Sequence, residues 1–181
     1  KPFSAIGKNV LQNFNGYFNS EIFLTGTFYN PKIKGYIRTE NTSFDVPYLG
    51  TSYALKNNPD FKLDNRKIII KDFIIEDKHL ETFGLMNGEI YHNRLKDWFL
   101  NFDIISDNLL AINTAVDKNP IYYGKGMFNG SAKFYGPGKD LDIIIKGETN
   151  PGTRITVPIK YQDGLADLTF LRFNNPSSND Q

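Results

Sequence analysis

The sequence predicts an all-β fold, and three observations carry that prediction. Apolar and polar residues alternate with a period of two, turn-forming residues separate the alternating runs, and one strand–aromatic–proline unit occurs twice. A period of two puts successive side chains on opposite faces, so each run describes a strand with one apolar and one polar face.

The first element is the exception. Phe3, Ile6, Val10, Leu11 and Phe14 fall at helical spacing, with Ser4 placed as an N-cap and Asn15-Gly16 as a stop. That pattern predicts a short amphipathic helix over 3–14. Strands follow. Ile22, Leu24, Gly26 and Phe28 share one face, and after the Asn30-Pro31 turn so do Ile33, Gly35 and Ile37. Lys67-Ile68-Ile69-Ile70 and Phe73-Ile74-Ile75 lack alternation and read as buried on both faces. The clearest strand is Trp98–Ile104, where Trp98, Leu100, Phe102 and Ile104 point one way and Asn101 and Asp103 the other. Leu109, Ile112 and Val116 fit helical spacing, but Leu110 and the β-branched residues weigh against a helix.

In the C-terminal third, Gly126, Gly130 and Ala132 form a small-residue strand face that lets a neighbour approach closely. Leu141, Ile143 and Ile145 alternate with polar residues in the next strand. Ile155, Val157 and Ile159 do so in the one after, where Pro158 on the outward face marks an edge or bulge. Asp163-Gly164 is a hairpin signal leading into Ala166–Phe170, and the polar stretch 174–181 reads as a disordered tail. Asn57-Asn58-Pro59, Asn119-Pro120, Gly136-Pro137-Gly138 and Asn150-Pro151-Gly152 punctuate the chain. The repeated unit runs from Gly26 to Pro31 and again from Gly130 to Pro137, each leading into a returning alternating strand. Repetition of this kind suggests stacked strand units in place of a closed barrel. Residues 1–173 therefore read as a single segment.

Composition narrows the function classes. Lys and Arg (21) nearly cancel Asp and Glu (20) to a formal charge of +1, so the charge footprint of a nucleic-acid binder is missing. Cysteine is absent, which removes disulfides, thiol nucleophiles and cysteine metal sites. The opening Lys1-Pro2-Phe3 reads as the middle of a longer polypeptide, and no apolar run approaches the roughly 18 residues of a membrane-spanning helix.

Catalytic constellations are sparse. His79 and His92 lie in separate segments without zinc-site spacing, and read as surface or strand-end imidazoles. Glu76–Glu81 reads as a solvated loop between strands. Gly124–Gly130 misses the spacing of a phosphate loop by one residue and opens a strand, so no helix dipole is available for a phosphate. Trp98, Tyr122, Tyr123 and Tyr135 could stack on sugar rings, although strand aromatics more often serve packing. No enzyme activity and no cofactor or metal are expected.

The order of several segments resembles the C-terminal part of the TamB family. They begin with Gly26…Asn30-Pro31…Gly35-Tyr36-Ile37 and Phe44-Asp45-Val46-Pro47-Tyr48-Leu49 with Tyr53. Asn87-Gly88-Glu89-Ile90-Tyr91-His92, Lys96-Asp97-Trp98 and Leu109–Thr114 follow. Asn119-Pro120-Ile121-Tyr122-Tyr123-Gly124 comes next, with Gly130, Gly136 and Gly152-Thr153…Val157-Pro158-Ile159 completing the set. The resemblance covers about Gly16 to Phe173. It implies a β-taco: an elongated sheet of antiparallel, repeat-stacked strands folded into a trough with an apolar interior. It further implies a periplasmic span, an inner-membrane anchor elsewhere in a longer Gram-negative protein, and docking onto an outer-membrane barrel of the TamA or BamA type. Phospholipid transport and outer-membrane protein assembly or secretion, as part of a translocation and assembly module, are the implied roles.

On that reading the expected lipid-groove lining is Trp98, Leu100, Phe102 and Ile104, then Phe128, Ala132 and Phe134, then Leu141, Ile143 and Ile145. Ile155, Val157, Ile159, Leu168 and Phe170 complete it. The rival expectations are a scaffold that adds outer-membrane strands to its own sheet edges and a carbohydrate-binding β-sandwich.

Overall fold

The computed structural model describes residues 11–27, 29–94, 96–138 and 140–159. These form one antiparallel sheet of ten strands, with no helix among the described residues. In chain order the strands are β1 (Gln12–Thr27), β2 (Asn30–Val46), β3 (Thr51–Leu55), β4 (Asp60–Asp64) and β5 (Lys67–Asp77). Next come β6 (Phe83–Asn93), β7 (Lys96–Thr114), β8 (Tyr123–Pro137), β9 (Asp142–Thr149) and β10 (Arg154–Thr156).

The sheet is a meander in which each strand lies beside the next, and two places in it are shared. β3 and β4 both sit between β2 and β5, one beyond the other along the strand direction. β9 and β10 likewise both pair with β8, separated by the Asn150-Pro151-Gly152 turn. Asn57 and Asn58 make the break between β3 and β4, with φ of +60° and +47° in the left-handed region that asparagine tolerates. The repeated units of the sequence are the β1–β2 and β8–β9 hairpins, so they are parts of one meander and not a stack of separate units.

Residues paired across an antiparallel ladder share a face, and two rows of pairs define the apolar one. The first row is Ile70–Gly88–Phe102–Phe134–Ile143, running from β5 to β9; the second is Phe73–Met86–Ile104–Ala132–Ile145. Phe102 and Phe134 stack at 4.8 Å between ring centroids. Gly88 sits in the first row because only a glycine fits there. Its φ is +149°, and a Cβ would run into the Phe102 backbone.

The sheet is not flat. Tyr53 of β3 donates its hydroxyl to the Leu110 carbonyl of β7 (2.9 Å), although β5 and β6 lie between these strands in the sheet. The Asn113 amide donates to the Leu49 carbonyl in the β2–β3 turn (2.8 Å), and the Leu110 amide to Thr82 Oγ1 (2.8 Å). The sheet therefore curls until β3 meets the last third of β7 and closes a seam at one end. The core lies inside the curl: Tyr53, Leu55, Leu63, Ile68, Ile70, Phe73, Ile75, Ile90 and Leu109 are buried there. Phe73, 1% exposed, meets the Phe61 ring edge-on at 4.7 Å. Truncating such a ring typically costs about 3–5 kcal/mol.

Several expectations are corrected. Gln12–Phe14 belongs to β1, so the helix expected over 3–14 does not occur at its described end, and 3–10 lie outside the described residues. Leu109–Thr114 is strand, on the side that Leu110 and the β-branched residues favoured over helical spacing. β5 is buried on its inner face only, because Ile69 and Ile74 are half-exposed on the other. The reason is a bulge. Asp72 adopts φ +55° and the register shifts between Ile70 and Phe73, moving the inner set from Ile68 and Ile70 to Phe73 and Ile75. The strand expected over 155–161 is limited to Arg154–Thr156 within the described residues. The hairpin and strand expected beyond 160, and the tail 174–181, lie outside them.

Candidate functional site

The trough's inner face is the candidate site, and exposure divides it into a floor and two lips. Leu100 is buried at 5%, and Trp98, Phe102, Ile104, Phe128, Ala132 and Phe134 are half-buried. Trp98 and Ile104 pack against the core, and Phe128, paired with Leu109, leans over Gly147 of β9. These residues are the floor. On β9, Ile143 and Ile145 lie on the same face but are 53% and 65% exposed. Their main chains pair with Phe134 and Ala132 on one side only, because β9 is the outermost described strand.

β1 forms the opposite lip, which the expected lining omitted. Ile22 pairs with Gly35, and Leu24 with Ile33, placing both on the inner face; they are 49% and 69% exposed. The alternation of Ile22 and Leu24 was readable. Their place at the rim was not, because it depends on β1 being the outermost described strand.

The remaining expected lining residues are less uniform. Leu141 precedes β9 and is half-buried. Ile155 pairs with Gly124 and packs toward Gly126 and Ile112 on the inner face. Val157 and Ile159 follow β10 outside any strand and are exposed, while Leu168 and Phe170 lie outside the described residues.

Polar groups depart from two expectations. His92 lies at the end of β6, the strand-end alternative, but not on the surface: it is buried beside Trp98, 5.2 Å between centroids, and its amide donates to the Arg66 carbonyl. Burial pushes its pKa below the usual histidine value, and the positive charge of Arg66 adds to the shift. Asp77 is not part of a solvated loop. It is fully buried, and its Oδ2 accepts the Leu80 amide at 2.6 Å, which folds the following turn back onto β5. Tyr53 pairs with Asp77, and burial lifts the Tyr53 phenol to about 12.

The aromatic residues considered for sugar stacking are dispersed. Trp98 lies inside the trough, Tyr122 is buried, and Tyr135 stands on the outer face. There it forms a row with Phe99 and Tyr91, with centroids 5.0 and 6.4 Å apart. The rings meet edge-to-face at 90° and 66°, which favours ring–ring packing over a flat stacking platform. Two shallow depressions of about 370 and 460 Å³ also lie on the outer face, one at the β4–β5 turn and one around Ile74, Leu85 and Ile105.

Among the described residues no three metal-ligating side chains cluster, and no helix is long and apolar enough to cross a membrane. No family model matches the chain, and no curated protein or solved structure matches it.

Proposed function

We propose that this chain is a non-enzymatic segment of a periplasmic bridge whose trough holds phospholipid acyl chains in transit between membranes. The observation that carries the reading is the gradient of exposure across one continuous apolar face. The floor is buried at Leu100 and half-buried around it, while Ile22, Leu24, Ile143 and Ile145 stand half-exposed or more along both rims. Full burial of such a side chain is worth about 1.5–3 kcal/mol, so each half-exposed rim residue has about 1 kcal/mol to gain from an apolar partner. An acyl chain of about fifteen methylenes costs on the order of 12 kcal/mol to bring through water, at roughly 0.8 kcal/mol per methylene. A rim-to-rim apolar surface lowers that barrier while the headgroup stays in solvent.

The resemblance to the TamB family supports the same reading and supplies its setting: a longer protein anchored in the inner membrane and an outer-membrane barrel partner of the TamA or BamA type. Organic extraction of the purified chain followed by mass spectrometry tests the proposal. Phospholipid is expected to co-purify in stoichiometric amount; a lipid-free preparation that also fails to take up phospholipid from vesicles contradicts it.

A second reading, a scaffold for outer-membrane strands, is favoured by the composition of β1, the outermost described strand on its side of the sheet. From Tyr17 to Thr25 this strand carries one charge and no proline, so it lacks the usual devices that prevent strand addition. Both readings can hold for one molecule, since strand addition uses the edge and acyl binding uses the face.

A further inference from the structure

The inner face is not equally available along its length. At the seam, Tyr53, Leu55, Phe73, Ile75 and Leu109 fill the interior, each less than 9% exposed. The closure itself is tightly built. Gly50 in the β2–β3 turn, at φ +65°, lies so close to the Asn113 carbonyl that no Cβ fits between them. The segment after β7 is pinned to the same turn, with the Tyr122 hydroxyl donating to the Tyr48 carbonyl at 3.0 Å. The two rings meet edge-on at 5.5 Å. Asn119 holds the segment in shape, its Oδ1 accepting the amides of Ile121 (2.9 Å) and Tyr122 (3.3 Å).

We infer that the seam is a stop. Acyl chains occupy only the part of the trough away from it, and they enter and leave sideways between the β1 and β9 rims, not along the axis past β3 and β7. This rests on the acyl-carrying reading above. Threading a chain past the seam requires displacing buried rings from a close-packed interior, and packed cores yield little without loss of stability. The rims require no such displacement. Leu24 pairs near the start of β2, and Ile143 with the far end of β8, so the most exposed part of the β1 rim and the Ile143 part of the β9 rim lie at the end opposite the seam. The occupied surface is then short, and a headgroup at the rim stays wet throughout.

The test uses the whole chain and phosphatidylglycerol carrying a diazirine near the end of one acyl chain. After photolysis, adducts are expected on Leu24, Phe134, Ile143 and Ile145, with none on Tyr53, Leu55 or Leu109. Adducts on the latter three in the unaltered chain overturn the inference. A second arm locks the seam by oxidising the Leu49→Cys, Asn113→Cys variant. Uptake at an unchanged rate supports sideways entry, and loss of uptake on oxidation, restored by reductant, overturns it. Absence of adducts anywhere, with no uptake, removes the acyl-carrying reading itself and is thereby distinguishable from failure of the stop alone.

Discussion

Tyr53 and His92 carry polar atoms into the inside of the curl, and both tie the stability of the sheet to pH. His92 has a folded pKa pushed below the usual value of about 6.5 by burial and by Arg66. As pH falls through that value, the unfolded chain takes up a proton that the folded chain refuses, so stability drops on acidification until His92 itself protonates. Tyr53 runs in the opposite direction: its folded pKa is raised to about 12 against an unfolded value of about 10. Its contribution is intact below about pH 10 and is lost as pH rises from there toward 12. Urea midpoints measured across both ranges should fall at each end. His92→Phe, which keeps a ring against Trp98, should flatten the acid limb; an acid limb of unchanged slope would show that other groups control it. The strand phase of His92, two residues after Ile90, was legible, but its spacing from other residues gave no sign that it is buried.

Strands were legible within each run and lost phase between runs. Leu100, Phe102 and Ile104 share the inner face as the alternation required, because no residue between them leaves the ladder, and Trp98, at a register shift just before them, packs against the same core. In β5 the extra residue at Asp72 moves the inner set from even to odd positions, and two one-sided runs then resemble a strand buried on both faces. β7 shifts again between Ser106 and Leu109, where the Ser106 hydroxyl donates to the Phe83 carbonyl (2.5 Å) and accepts the Asn108 amide (3.0 Å). The strand-addition reading belongs to this scale. A proline scan from Asn19 to Phe23 should divide by parity, because alternate amides of β1 point toward β2 or away from it. Prolines at outward-pointing amides should abolish crosslinking of an alternating apolar peptide while leaving the thermal midpoint nearly unchanged; crosslinking that survives at every position would end that reading.

For the whole molecule, alternation says which face is apolar and nothing about how far the sheet bends. The curl is set by contacts between residues distant in sequence, Tyr53 with Leu110 and Tyr48 with Tyr122, and these partners cannot be matched from spacing. Exposure follows from the curl. The same apolar face is a packed core under the seam and an open surface at the rims, and alternation within β7, β8 and β9 groups residues by face without dividing that face into floor and lip. The acyl-carrying claim is tested most directly by comparing neighbours on opposite faces of the rim strands. Leu24 and Ile145 point inward, whereas Phe23 and Ile144 are equally apolar, 60% and 50% exposed, and point outward. Phospholipid binding should be lost in Leu24→Asp, Ile145→Asp and retained in Phe23→Asp, Ile144→Asp; equal loss in both pairs, or in neither, would contradict the account.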